Sequence, residues 1–403
     1  MDSGAKAVAR LLGIVLCWGV AALLAADLPP SVPPPKPIQS ALPVVRVLPN
    51  GLKLAVIERH ELPIISIRML VRSGAEADPA GLPGTAQMVA SLLNQGTTKR
   101  SAQEIATTID QIGGTIDTGA EWDNSFVALS VLADRAELAF DLVSDMVIRP
   151  AFAPSEIERQ RKQALSALSV AHEDPAYVAD AVFDRLTFAG TAYGHPPDGT
   201  EEAVRRLTFT DIREFYARNY RPENSILAVV GDIRADEAYQ LATKFFVGWQ
   251  QDDPLPTRRP SSIDSSQIGT MDYSKIRRIV PIDKPDAVQT EIRVGNRGIQ
   301  RSNSDYLALT VANQILGGPA TNRLYKALRT EHGLTYSASS EIDCGRSGSH
   351  GEPGRGLPIR HRGRCLYDGQ LQRLRRQRHR LHLLGQVWQP AQRRDAGPPT
   401  PAL

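Results

Sequence analysis

A histidine takes part in metal binding or proton transfer only when a second ligand or a proton partner stands beside it. In the region 27–343 there are four, His60, His172, His195 and His332, and no two are close in sequence. His172 falls on a charged helix end and His195 lies beside Pro196 in a loop, so solvated side chains are the expected state of both. His379 and His382 stand at i, i+3 spacing, but in an Arg-rich stretch with little apolar periodicity to support them. No Ser/His/Asp constellation and no phosphate-binding loop stands out, and the pair Gly317-Gly318 precedes a helix, where a turn accounts for it. The cysteines, Cys17, Cys344 and Cys365, lie outside 27–343, so this part folds without disulfides.

The elements that would position such groups are legible from pattern. The composition, 42% hydrophobic and 23% charged, is that of a soluble globular protein long enough for two domains. Lys6 and Arg10 precede the apolar run Leu11–Leu24, and Ala25-Ala26 precede Asp27, which predicts a secretory signal over 1–26 and a periplasmic location. The alternative is a single membrane anchor, although the run is shorter than the ~20 residues a spanning helix needs. A Pro-rich tether follows over 27–43. Strands are expected at Val44–Leu48 and Leu52–Ile57, joined by the hairpin signal Pro49-Asn50-Gly51, and at Ile64–Val71, Thr115–Ala120, Ser125–Leu132 and Ser225–Val230. Helices are expected at Thr85–Leu93, Ala102–Ile112 behind the capping box Ser101/Glu104, Arg135–Val147, Pro154–Val170, Ala176–Phe188, Phe209–Asn219 and Ala235–Phe246. Elements in clusters rather than in strict alternation predict an α+β domain over 44–249 with a mainly antiparallel sheet. A polar, Pro- and Ser-rich linker spans 250–274. Beyond it the order restarts, with strands around Arg278–Ile282 and Val288–Val294 and helices at Ser304–Leu316 and Asn322–Arg329. This predicts a second, homologous α+β domain, partial, over 275–343.

Two stretches carry a family resemblance. One is Gly84-Thr-Ala-Gln-Met-Val-Ala-Ser-Leu-Leu-Asn-Gln-Gly96-Thr97 with Arg100-Ser101-Ala102-Gln103-Glu104-Ile105. The other runs from Tyr193-Gly194 through Gly199-Thr200-Glu201, Phe215-Tyr216 and Tyr220-Arg221-Pro222-Glu223-Asn224 to Val229-Val230-Gly231-Asp232. In order and spacing they resemble the insulinase/pitrilysin-type (inverzincin) zinc peptidases, in particular the bacterial relatives of mitochondrial processing peptidase. The resemblance spans Val44 to Tyr336 and implies two tandem domains forming half of a clam-shell. Active members carry H-x-x-E-H on the first helix, two imidazoles for zinc and a glutamate as general base, with a distant glutamate as third ligand. Here those positions fall on Gln87, Ala90 and Ser91, with the distant ligand at Ser166 or Ala167. An amide, a methyl and hydroxyls replace every group that chemistry needs. Met88, Val89, Leu92 and Leu93 keep helical core spacing, so the helix is expected to survive for packing.

The second-domain signature is matched by Arg323-Leu324-Tyr325, Leu328-Arg329 and Gly333-Leu334-Thr335-Tyr336-Ser337. By resemblance Arg329 and Tyr336 reach toward bound peptide, one offering charge-assisted hydrogen bonds and the other a phenolic donor. Without the resemblance they are a helix-end arginine and a packed tyrosine. The sequence therefore looks like the non-catalytic subunit of a secreted heteromeric peptidase. That reading expects no catalytic residue and no bound cofactor in this chain, zinc in an active partner of the same family, and peptide substrates. The alternatives are a periplasmic peptide-binding or scaffold protein, or a non-functional gene product. No nucleic-acid partner is inferred.

The net charge of +3 conceals an asymmetry, because Gly345–Leu403 holds twelve Arg, no Lys and three acidic residues. From about Cys344 the resemblance stops and Arg, Gly, Pro, Gln and His dominate, so 344–403 reads as an anomalous tail. A GC-rich coding region translated in a shifted frame reads this way; a genuine basic, disordered extension is the alternative. Sequencing the gene around codon 344 is expected to reveal the shift, and limited proteolysis to leave a resistant core ending near Asp343. An unbroken frame with a protected fragment running well past residue 344 would overturn this.

Overall fold

The computed structural model describes residues 41–342, apart from 251–278 and positions 190, 286, 298, 300, 302 and 320, together with the backbone of 358–366. The signal segment, the tether up to residue 40 and the linker from residue 251 lie outside the described residues.

The sheet of the first domain is built on alternation. Strands β1 (Val44–Val47) and β2 (Lys53–Glu58) form the expected hairpin, with Gly51 at φ +87° in the left-handed region that the turn requires. The turn is tied down by Asn50, whose amide donates to the carbonyls of Phe246 at 2.7 Å and Trp249 at 3.1 Å. With β3 (Ile64–Val71), β4 (Thr115–Ala120), β5 (Ser125–Leu132) and β6 (Ser225–Gly231) the strand order is β1-β2-β6-β3-β5-β4. All neighbours pair antiparallel except β2 with β6, which the intervening chain makes a parallel crossover pair. Ile65, Ile67, Met69 and Val71 point to one face and are 0–1% exposed, in register with Leu129 and Val127 on β5 and Val229 and Leu227 on β6.

Helices cover that face. The helices of this domain are α1 (Thr85–Leu92), α2 (Ala102–Gln111), α3 (Ala136–Ile148), α4 (Pro154–Glu173), α5 (Pro175–Thr187), α6 (Glu201–Arg206), α7 (Phe209–Asn219) and α8 (Ala235–Phe246), of which α1, α2, α3 and α8 pack on the sheet. Helix α3 packs on β3, β5 and α8, and nine of its 13 residues are buried, which is why its sequence is apolar on nearly every side. Helix α2 starts at the expected capping box: Ser101 Oγ accepts from Glu104 N, and Glu104 Oε2 accepts from Ser101 N at 2.7 Å. The α+β expectation holds, with one parallel pair in a mainly antiparallel sheet.

The second domain comprises β7 (Gln289–Arg297), α9 (Tyr306–Gly317), a single helical turn α10 (Arg323–Tyr325), β8 (Ser337–Ile342) and β9 (Pro358–Leu366). Its sheet order is β7-β9-β8, antiparallel throughout. Strand β9 lies within the stretch expected to be an anomalous tail; backbone pairing does not depend on side-chain type, so a basic segment can hold a central ladder position. The strand expected around Arg278–Ile282 does not form, since its described part, 279–282, is irregular and has no ladder partner. The helix expected over Asn322–Arg329 is also different. Asn322 caps α10 by accepting from Tyr325 N at 2.7 Å, and the chain then widens into a π-helix over Lys326–Glu331. Helix α9 resembles α1 in sequence character but not in burial: of its residues only Gly317 is buried, while Leu307, Val311 and Ile315 are exposed.

One buried charge organises the first domain. Asp145, on α3 and fully buried, accepts from Thr97 Oγ1 at 2.7 Å, Arg100 Nη1 at 2.8 Å and Arg149 Nε at 2.9 Å. Burial alone would raise this carboxyl, but the hydrogen bonds from Thr97, Arg149 and Arg100 outweigh it and hold the group below the ordinary carboxylate range. A carboxyl lowered in the folded state contributes stability that is present above about pH 4 and lost as pH falls through its folded value. Asp145→Asn is therefore expected to cost about 2 kcal/mol at pH 7, and to flatten the acid limb of a plot of denaturation midpoint against pH. An unchanged acid limb would assign that limb to other carboxylates.

Candidate functional site

Helix α1 has a glycine at its N-cap, and its first residue, Thr85, donates from Oγ1 back to Leu82 O at 2.7 Å. Gly84 precedes it at φ +93°, and a Cβ there would stand 2.9 Å from Asp198 O, so only glycine fits between the helix and the loop before α6. Its side-chain cap comes from further back, where Asp78 accepts from Gly84 N and from Ala86 N, each at 2.7 Å. Burial pushes the Asp78 carboxyl up to about 8, with Glu76 acting in the same direction and the backbone donors of Ala86, Gly84 and Thr85 opposing the shift.

The three positions on α1 where the resemblance implies ligands and base are now used for packing. The amide oxygen of Gln87 accepts from Ala120 N at 2.8 Å, tying the helix to the end of β4. Ala90 is 0% exposed. Ser91, half-buried, donates back to Met88 O at 2.9 Å. Helix α4 packs on α1, with Ile157 and Leu168 buried, and its positions for the distant ligand, Ser166 and Ala167, are exposed. The structure thus brings the expected helices together while leaving no carboxylate or imidazole at any of the four positions. Among the described residues no group of three or more His, Cys, Asp or Glu side chains could hold a metal. The donor set does not fit zinc.

The histidines stay apart. His172 is exposed beside Glu201, with Nδ1 3.5 Å from Oε1. His195 corrects the expectation of a solvated loop residue. Its ring lies 5.6 Å from that of Trp122, Nδ1 is 3.1 Å from Pro196 O, and burial lowers its pKa. It belongs to a small cluster with Trp122, Phe188 and Tyr193, in which Tyr193 donates to Asp123 Oδ1 at 2.5 Å. Sequence reasoning missed this cluster because its members come from two separate loops. It missed Asp78 and Asp145 for a related reason, as neither sits in a motif of its own.

Arg329 and Tyr336, seven apart in sequence, do come together. Arg329 lies in the π-helical turn, and Gly333 at φ +61° reverses the chain after it. The turn closes through Gly333 N donating to Arg329 O at 3.0 Å and Leu334 N to Leu328 O at 2.8 Å. Arg329 Nη1 donates to Tyr336 O at 3.0 Å, and its guanidinium lies 4.5 Å from the centre of the Tyr336 ring and 5.0 Å from that of Tyr325. Tyr336 is 64% exposed, so it is presented on the surface and not packed.

Comparison with known proteins identifies the family. The model of the insulinase family, peptidase family M16, matches residues 53–197, and that of the peptidase M16 inactive domain matches 206–353. The chain belongs to the insulinase-type peptidase family, and it lacks the family's zinc motif. An uncharacterized zinc protease of Mycobacterium leprae is 29% identical over 296 residues, 73% of this chain. The match spans 65% of that relative's length. A crystal structure of a peptidase M16 inactive domain from Pseudomonas fluorescens superposes with a TM-score of 0.67 at 23% identity, over 80% of this chain and 74% of that one. A protease from Helicobacter pylori gives 0.71 at 17% identity, over 86% and 79%. These last two share the fold.

If the pocket has closed around Ala90, a carboxylate cannot be put back there cheaply. Ala90→Glu is expected to lower stability by about 2–4 kcal/mol in denaturant titration, because a buried carboxylate gains no partner. Ser91→His, at a half-buried position, is expected to cost less. Equal stability of Ala90→Glu and the parent chain would show that the ligand pocket is still open.

Proposed function

We propose that this chain is the non-catalytic subunit of a heteromeric zinc metallopeptidase of the periplasm, which completes a chamber and binds peptide for hydrolysis by a zinc-bearing partner of the same family. The observation that supports the reading is a contrast within one molecule. The positions where the resemblance implies zinc ligands and general base hold Gln87, Ala90, Ser91 and Ser166 or Ala167, none of them an imidazole or a carboxylate, whereas Arg329 and Tyr336 stand together at the surface, Tyr336 64% exposed. Arg329 is oriented by a backbone carbonyl and two ring faces, a geometry suited to a charge-assisted bond with a peptide carbonyl. The Tyr336 hydroxyl can donate to the same group as negative charge develops on it. Nothing in this role calls for a nucleic acid or for a cofactor in this chain.

The purified chain is expected to hold no stoichiometric zinc by metal analysis and to cleave no peptide alone. Co-purification with a family member that retains an intact H-x-x-E-H helix is expected to yield a pair with chelator-sensitive activity. In that pair Tyr336→Phe should lower turnover about tenfold or more, with the melting temperature of the chain nearly unchanged. One tightly held zinc per chain with activity on its own would refute the reading. Parallel losses of stability and turnover in Tyr336→Phe would return the tyrosine to a packing role.

A further inference from the structure

Arg293 of β7 is the most completely bound arginine among the described residues of the second domain. Its Nε donates to Asp180 Oδ1 at 2.7 Å and its Nη2 to Asp180 Oδ2 at 3.1 Å, a two-pronged grip on one carboxylate. Nη2 also donates to Ala176 O at 3.2 Å, while Nη1 donates to Glu291 Oε2 at 2.9 Å and to Ile292 O at 3.3 Å. All five guanidinium N–H groups are thereby used. The side chain is only 6% exposed, and the carboxylates it meets are 24% exposed at Asp180 and 8% at Glu291. Burial works against the charge on Arg293, and the two carboxylates outweigh it.

Asp180 and Ala176 are on α5, in the first domain, while Arg293 and Glu291 are on the first strand of the second. A buried ion pair with one member removed leaves the other uncompensated, so such a contact resists opening far more than an exposed pair does. The neighbouring pair Lys284–Glu173, 3.3 Å apart with Glu173 82% exposed, contributes little by comparison.

We propose that the Arg293–Asp180–Glu291 cluster is an interdomain latch, which seats the second domain on α5 and so fixes where Arg329 and Tyr336 stand relative to the first domain. This goes beyond the proposed function and does not depend on it, because the latch works within the isolated chain. Arginine is specified at this position: a lysine ammonium cannot reproduce the fork on Asp180 while also reaching Glu291 and Ala176 O.

The test uses the full chain, with Cys17, Cys344 and Cys365 changed to Ser and spin labels at Gln163→Cys on α4 and Leu307→Cys on α9, both exposed positions. Dipolar electron resonance is expected to give one narrow interdomain distance distribution for the parent. Arg293→Met should broaden it strongly, Arg293→Lys partly, and Arg301→Met, a surface arginine outside the cluster, not at all. Far-UV circular dichroism should stay unchanged in all three. Should Arg293→Met fail to fold, Asp180→Asn keeps the size of the acceptor, weakens the grip and is expected to broaden the distribution by itself. A distribution as narrow as the parent's in Asp180→Asn and in any folded Arg293→Met overturns the latch. Equal broadening in Arg301→Met also overturns it, by assigning the effect to loss of charge in general.

Discussion

A carboxylate shut away from water must be matched by donors that the fold brings to it, and Asp145 is the group on which the first domain is organised. Its three partners come from the loop after α1, the residue before the α2 cap, and the end of α3 itself. Thr97 completes the arrangement by accepting from Lys99 N and Arg100 N, and the same loop pairs with the chain after α3 through Ala151 N to Gly96 O at 3.0 Å. The Gly96-Thr97 and Arg100-Ser101 landmarks that carry the family resemblance are therefore structural. They set the end of α1 and the start of α2 against the central helix, and they have nothing to do with holding a metal.

That division explains how a peptidase fold can lose its metal site and keep its shape. Helix α1 is fastened at one end by Asp78, at the other by the Asp145 cluster, and along its length by Ala86, Val89, Ala90 and Leu93, each fully buried. Of these attachments only Ala90 falls on a position where the resemblance implies zinc chemistry. Gln87, Ala90 and Ser91, at the positions where the resemblance implies ligands and base, contribute packing, including the tie from Ala120 N to the Gln87 amide oxygen.

The second domain follows a different balance. It carries many of the large exposed apolar side chains, among them Val288, Leu307, Val311, Ile315 and Tyr336, and among the described residues its sheet has three strands against six in the first. Two arginines there show two uses of one group. Arg293 spends every donor on a buried cluster shared with α5, whereas Arg329 is stacked on aromatic faces at the surface. The first use fixes a position, and the second prepares a side chain for something outside the chain.

Strand alternation from Ile64 to Val71, the Ser101/Glu104 capping box and the Asn50-Gly51 turn were legible because each is a local pattern whose physics acts over a few residues. The absence of the zinc motif was legible for the same reason, since the identity of Gln87, Ala90 and Ser91 settles what they can ligate. The parallel pairing of β2 with β6 and the half-burial of His195 were not. Each depends on a neighbour far away in sequence: β6 lies more than 160 residues from β2, and Trp122 more than 70 from His195. Asp145 and Arg293 make the point most sharply. As letters they are an acidic and a basic residue in otherwise ordinary elements, and only the meeting of distant segments, which excludes water and aligns the donors, turned them into the buried charges that hold the molecule together.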